Sequence, residues 1–482
     1  MPRTGWVGIV LSTVVAWTGA TSCVQDPFTG TTAGTDTLLQ RVLRDENSRG
    51  GDAGWNLVAQ PASQGEIAAY LSRESVYPGE TVQLFGVSED SSLTLRLYRV
   101  GWYGGMGARL VSELGRVAVA GSRACSAPLP GPAECLWPPV ATVQIPSDAV
   151  PGVYVVRYTN ARGAGRFIPL VVAAPEPGTV VAVFSFNTYQ AYNSWGGASF
   201  YNRLDSLPQA PRVSFLRPYS DGTLRRHFFG LDLPLVRFLE RWDYPVTYVT
   251  DRQFDADDRI GYGSRLVVFS GHGEYWSVRM RSHAERLRDW GVGLAFFGGN
   301  DVYWRIRYEG PGEGYQGDVM VCYKSTPDPF IADPAYATGR FRDYPLSWPE
   351  NSLIGTMHYG ATNTLRHSRL VVADTSLEFF RGTGLRAGDS TSAIGGWEGD
   401  KVINNGFTPS GLRILFESRF LVDNGRGATG LMQSTFYRAG SGAGVFAAGT
   451  VGWNWALNDL QPVTADERVQ HLVRNLLDWY LR

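Results

Sequence analysis

Hydrophobic and polar positions follow two different rhythms along the chain, and the change falls near Glu176. From about Gln64 to Ala174, apolar residues come in short runs separated by turn residues. Leu93–Val100 alternates at period two, and Tyr154–Tyr158 does so after the turn Val150-Pro-Gly. Thr81–Phe85 follows a further turn, Tyr77-Pro-Gly-Glu. A strand with one face in a core and one in water reads in this way. Several such strands within about 110 residues predict an antiparallel β-sandwich.

Beyond Glu176 the apolar runs become continuous. Thr179–Phe186 has no polar alternation, as expected of a parallel strand buried on both faces. Leu231–Trp242 has helical spacing, Val246–Thr250 reads as a second strand and Arg265–Ser270 as a third. Ser282–Trp290 reads as a helix and Gly293–Phe297 as a fourth strand. Strands alternating with helices predict an α/β domain built on a mostly parallel sheet. From Val402 strands mix with irregular segments, and the amphipathic stretch Ala465–Leu481 closes the chain. No internal repeat is visible.

The first residues form a third kind of segment. Met-Pro-Arg precedes an apolar stretch from Val7 to Ala20, then Ala20-Thr-Ser-Cys23. A positive start, a short apolar core and small residues describe a secretory signal, too short to span a membrane. Small residues running directly into Cys23 also fit a bacterial lipoprotein signal, so a membrane is expected only through a lipid on that cysteine. The organisation expected is a signal over 1–23, a linker over 24–60 with one helical candidate at Thr37–Arg44, a β-sandwich over 61–174 and an α/β catalytic-like domain over 175–482. The expected location is the bacterial cell envelope, or the medium if Cys23 carries no lipid. Cys125 and Cys135 flank a Pro-rich loop that a disulfide could close in an oxidising compartment, and Cys322 reads as a buried thiol.

Composition narrows the function classes. A hydrophobic share of 44% supports sizeable cores, and a formal net charge of −1 offers no electrostatic case for nucleic acid. No Gly-x-Ser-x-Gly or Gly-x-Cys-x-Gly elbow occurs, nor a phosphate-binding Gly-x-x-x-x-Gly-Lys loop. Ligands of open α/β sheets bind beyond the carboxyl ends of the strands. Four segments lie there: Asn187–Asn202, Gly271–Trp276, Gly298–Trp304 and Ile394–Asp400. Each joins glycines to polar and aromatic residues. Taken from the residues alone, they describe a pocket of unspecified chemistry.

The same segments carry a resemblance. Tyr189-Gln-Ala-Tyr192-Asn, Ser199-Phe-Tyr201-Asn, Arg217-Pro218, Ser270-Gly-His-Gly-Glu-Tyr, Gly299-Asn300, Gly396-Trp-Glu398-Gly-Asp and Trp453-Asn-Trp-Ala-Leu-Asn-Asp occur in an order that resembles the N,N-dimethylformamidase large (beta) subunit-like family. That resemblance covers most of residues 150–482, and Thr81–Val100 is similar to the opening of a sandwich module in the family. It implies an immunoglobulin-like sandwich followed by a domain similar to class I glutamine amidotransferases, without their cysteine. It also implies a mononuclear iron held by two tyrosines and one glutamate. Carried over by motif, the implied ligands are Tyr192, Tyr201 and Glu274, while His272, Asn300 and Glu398 are the implied catalytic groups around the bound water and substrate, with Glu398 moving the proton and His272 and Asn300 orienting water or binding the oxyanion. The chain departs from the formamidase pattern at Gln190, at Ser194-Trp-Gly-Gly and at His272-Gly-Glu274.

Two phenolates and a carboxylate are hard, anionic oxygen donors, suited to ferric iron rather than to zinc or copper. Three protein ligands leave room for water and an amide oxygen. The expected activity is therefore exported, iron-dependent hydrolysis of amide or related C–N bonds. The expected partner is a small amide-like molecule, with self-association left open. The competing reading is a carbohydrate-binding module that uses Trp195, Trp276, Trp304 and Trp397 as stacking platforms. A third, a surface structural protein, leaves the four segments without a role.

Overall fold

The computed structural model describes residues 37–482, apart from 61–62, 64, 127–130, 202–208, 312–316, 362–367, 422–428 and 461–462. The signal and Cys23 lie outside these residues. Within the segment read as a linker, Thr37 caps the helix Leu38–Asn47, whose Leu43, Glu46 and Asn47 are buried.

The alternating runs fold into two sheets that share one core. Ile67–Leu71, Thr81–Ser88 and Pro139–Gln144 form an antiparallel three-stranded sheet. Ser75–Val76, Gly165–Val172, Gly152–Thr159, Ser92–Val100 and Ala108–Ala118 form the other, antiparallel apart from the short Ser75–Val76 edge. Leu93, Leu95 and Leu97 point into the shared core beside Leu84, Val143, Tyr154, Val156 and Leu170. Period-two side chains alternate between faces, so one register places every second apolar residue inward.

The second half is built on an eight-stranded sheet. We label its parallel strands β1 (Val180–Phe184), β2 (Val246–Thr250), β3 (Leu266–Gly271), β4 (Gly293–Gly298) and β5 (Gly444–Ala447), which lie in the order β2-β1-β3-β4-β5. Thr429–Arg438, Arg413–Leu421 and Val371–Val372 continue it antiparallel. The continuous apolar runs follow from helices on both faces. Val180, Ala182 and Phe184 pack with Leu235, Leu239, Leu472 and Leu476 on one side. Val181 and Val183 pack with Phe254, Met280 and Leu287 on the other. The fold is thus mixed α/β, with several sheets that combine parallel and antiparallel strands.

Three element limits differ from the sequence reading, each for a local reason. The helix expected from Ser282 starts at Val278, because the Ser277 side chain accepts from the Met280 N–H and caps it there. Strand β1 ends at Phe184, and Phe186 opens a helix, α1 (Phe186–Tyr192), held by an Asn187 N–H to Asp251 Oδ2 bond of 2.8 Å. The helix expected from Leu231 is preceded by a π turn, Phe228–Asp232, and becomes α-helical at Leu233 with Pro234 in its first turn.

Buried ion pairs join the sandwich strands to the α/β elements. Arg99 donates to both Glu240 oxygens at 2.8 and 2.9 Å, and Arg252 to both Glu74 oxygens at 2.9 and 2.8 Å. Among the described residues no helix is long and apolar enough to cross a membrane.

Candidate functional site

Strands β1, β3 and β4 end side by side, and the segments that leave them converge with Glu398. Close approach at this edge needs glycine: a Cβ on Gly298 would lie 1.7 Å from the Gly271 carbonyl oxygen. Helix α1 carries Tyr192 at its last position, and the chain then turns through Trp195–Gly197 to Tyr201. Arg217 holds that excursion in place. Its guanidinium, fully buried, donates to the Gln190, Trp195 and Ala198 carbonyls at 2.9, 2.9 and 2.7 Å and to Gln190 Oε1 at 3.1 Å. The disulfide Cys125–Cys135 forms, and Cys135 packs in the same small core as Trp195.

All six side chains assigned from the sequence meet at this edge. The Tyr192 and Tyr201 rings stack with centroids 4.3 Å apart. Tyr201 Oη donates to both Glu274 oxygens, at 2.7 and 3.0 Å, and Tyr192 Oη to Glu398 Oε1 at 3.4 Å. His272 Nε2 lies 3.3 Å from Glu398 Oε2 and 3.5 Å from Glu274 Oε2. The Asn300 amide donates to Glu398 Oε2, and its backbone N–H to Asp400 at 2.9 Å. Backbone strain gathers around the same pocket: Asn300, Val302 and Trp397 have φ of +54°, +58° and +59°. A β-branched or bulky residue adopts that region only when its surroundings impose it, and such residues cluster at functional sites.

The electrostatics are those of a buried cluster in which carboxylates and phenols face the His272 imidazole. Burial opposes a charge on His272, but the Glu398 and Glu274 carboxylates outweigh it and raise the imidazole pKa to about 9. Burial would raise Glu398, yet the His272 imidazolium, His358 and the Asn300 amide hold it well below the usual carboxylate range. Burial, then the Glu274 carboxylate, push both Tyr192 and Tyr201 well above the usual phenol range. Without a cation, these phenols stay protonated.

That donor set fits a hard trivalent ion. Tyr192, Tyr201 and Glu274 bring three oxygens into one cluster, and Asn300 Oδ1 and His272 Nδ1 are buried beside it with no hydrogen-bond partner. Among the described residues, no group of three or more His, Cys, Asp or Glu side chains is arranged to hold a metal. A metal in this pocket therefore depends on phenolate ligands, which only a strong Lewis acid keeps ionised.

Sequence reading missed several groups. His227, which follows α2 (Asp221–Arg226), is 2% exposed, and both its ring nitrogens lack partners. Its ring lies 5.2 Å from Tyr192 and 5.8 Å from His272, centroid to centroid. Tyr275 Oη donates to Tyr201 Oη at 2.6 Å, and Lys324 Nζ donates to Tyr275 Oη at 2.8 Å while lying 3.4 Å from the Tyr201 ring centroid. One compositional signal pointed to Lys324. Of 44 basic residues only Lys324 and Lys401 are lysines, so the protein uses arginine almost everywhere else. The tryptophans divide: Trp195 and Trp276 are 6% and 2% exposed and belong to cores, whereas Trp304 and Trp397 are half-buried. A stacking surface built from all four does not exist.

Behind the tyrosine helix lies a buried acid. Asp232 accepts from Ser270 Oγ and Tyr189 Oη. Burial outweighs these bonds and raises its pKa from an ordinary 3.8 to about 7. Between these two values the folded protein keeps a proton that the unfolded chain releases, so this contribution to stability falls as pH rises from about 4 to 7 and levels off above. Asp232→Asn does not titrate. The melting temperature of the variant minus that of wild type should therefore climb between pH 4 and 7. A constant difference would remove Asp232 as the source.

The comparisons with known proteins now bear on this geometry. Residues 94–467 match the family model described as N,N-dimethylformamidase beta subunit-like, C-terminal. Curated proteins give no match. Among solved structures, a cycloisomaltooligosaccharide glucanotransferase of Paenibacillus sp., complexed with cycloisomaltoheptaose, is similar at 10% identity and a TM-score of 0.17. That likeness covers 57% of this chain and 34% of the glucanotransferase, so the chain spans about a third of its length.

Proposed function

The chain belongs to the N,N-dimethylformamidase beta subunit-like family, and from that premise we propose that it hydrolyses amide or related C–N bonds, with a mononuclear ferric iron held by Tyr192, Tyr201 and Glu274. The observation that carries this reading is the oxygen cluster, in which Tyr201 bonds both Glu274 oxygens and stacks on Tyr192. When bound, the ion would supply the Lewis acidity that polarises the amide carbonyl and acidifies water.

The remaining steps belong to the chain's own side chains. Glu398, kept ionised beside the His272 imidazolium, takes the proton of the attacking water. As the C–N bond breaks, Glu398 returns that proton to the departing nitrogen, leaving an acid and an amine. His272 stabilises negative charge developing on the carbonyl oxygen. Asn300, whose amide donates to Glu398, fixes the carboxylate's orientation. A cysteine nucleophile finds no support: Cys322, the free cysteine among the described residues, is buried, and burial pushes its thiol far up.

The reading extends to organisation and location. The two-sheet part, 61–174, is taken as an immunoglobulin-like domain, and 175–482 as a domain of class I glutamine amidotransferase type. The Cys125–Cys135 disulfide supports an exported protein. Metal analysis and a visible spectrum of the purified protein test the proposal. Iron with a tyrosinate charge-transfer band is the expected result. A colourless, iron-free protein from iron-replete cells would overturn the metal assignment.

A further inference from the structure

Arg226 and Trp397 each sit immediately before a residue of the site in the chain. Arg226 ends α2 and precedes His227, whose ring packs against Tyr192 and His272. Trp397 precedes Glu398. The Arg226 guanidinium lies over the Trp397 indole, 5.2 Å from the ring centroid. Two separate chain segments thus meet beside the site, each next in sequence to a residue that belongs to it.

The Trp397 end of this contact is firmly held. Trp397 holds its left-handed backbone at φ +59°, and its indole packs edge-on against Trp455 at 5.3 Å. The Gly396 N–H bond to Thr450 Oγ1, at 3.0 Å, fixes the preceding peptide. Arg226 itself is exposed, and no carboxylate among the described residues pairs with it. That sets it apart from Arg99, Arg237 and Arg252, whose guanidiniums are buried in ion pairs with Glu240, Asp459 and Glu74.

A guanidinium stacked on an aromatic face uses its π surface there and keeps its in-plane N–H groups for another partner. Those groups form a planar fork that matches a carboxylate bidentately. Beside a site already rich in buried carboxylates, a nearby cation also offsets the repulsion that an anionic substrate would meet.

Resting on the amide-hydrolase reading of the same pocket, we propose that Arg226, seated on Trp397, anchors a carboxylate of the substrate. The preferred substrates are then amides that carry an anionic group on the side remote from the scissile bond, rather than small neutral amides. Arg226 is a specificity-determining residue and takes no part in bond breaking.

N-formylglycine and N-methylformamide share an acyl group and differ in the carboxylate, so they serve as paired probes. In the wild-type protein kcat/KM should favour N-formylglycine. Arg226→Gln should reduce that preference about ten- to a hundredfold, mainly through KM, as loss of a charge-assisted bond implies. Arg226→Lys should keep part of it, because charge remains without the fork. A ratio unchanged in Arg226→Gln overturns the anchor while leaving amide hydrolysis standing. Calorimetry in the slow Glu398→Gln background supplies a readout apart from turnover: the Kd of N-formylglycine should weaken by at least about tenfold when Arg226→Gln is added. An unchanged Kd, or no binding to Glu398→Gln itself, also overturns the proposal. Weakened binding in a protein that cleaves neither amide would support the anchor and remove the hydrolase reading.

Discussion

Glu274→Gln should strip the protein of iron, colour and turnover together. Glu274 is the anion on which the cluster is organised, because Tyr201 donates to both of its oxygens and His272 lies 3.5 Å from one of them. Glutamine preserves the shape and removes the charge. The two phenols cannot make up the loss, since burial already pushes them well above the usual phenol range and deprotonating them is costly. Losing an outer partner of a metal ligand costs about 10–100-fold in affinity or activity, and losing a ligand itself should cost at least that. Metal analysis and the visible spectrum of the variant, checked for folding by circular dichroism, decide the matter. A folded Glu274→Gln protein with full iron would show that the metal, if present, is held elsewhere.

The contrasting variant is Glu398→Gln, where iron and colour should stay and turnover should drop by about 10²–10⁴, the usual cost of a lost general acid or base. The substituted amide is nearly the same size as the carboxylate. Its oxygen can still accept from Asn300 and its NH2 can donate to Tyr192 Oη, so the packing around the proposed ligands survives. What disappears is the proton acceptor, together with the anion that holds His272 charged. If Glu398→Gln loses iron as Glu274→Gln does, Glu398 is a ligand and its role as proton carrier is wrong. If turnover is unaffected, the proton moves through another group. His227 is the next candidate, because its neutral ring is buried against Tyr192 and its nitrogens have no partner.

Much of this architecture was legible in the order of residues. Alternation at Leu93–Val100 revealed a strand with one wet face, and the unbroken run at Thr179–Phe186 revealed one covered on both. Such patterns are readable because side-chain direction in a strand is set locally, residue by residue. The segments that carry Tyr192, Tyr201, His272, Glu274 and Asn300 were legible as loops at strand ends that a parallel sheet brings to one edge, whereas the choice of those residues, and of Glu398, came from the family resemblance.

What stayed illegible depends on closure between distant segments. Nothing near Lys324 in the chain announces Tyr201, and nothing near Arg226 announces Trp397; packing of the finished sheet brings each pair together. Trp195 and Trp276 looked like pocket aromatics by their place in the motifs, yet both rings turn into cores, because burying an indole that has a core to fill outweighs leaving it in a mouth. The order of residues alone carries the two rhythms, the sheet edge and the chemical kinds of side chain gathered there. Packing in three dimensions settles which oxygens share hydrogens, which imidazole carries the charge and which arginine stacks on Trp397. Those properties arise from distances and burial between residues far apart in the chain, and no local pattern encodes them.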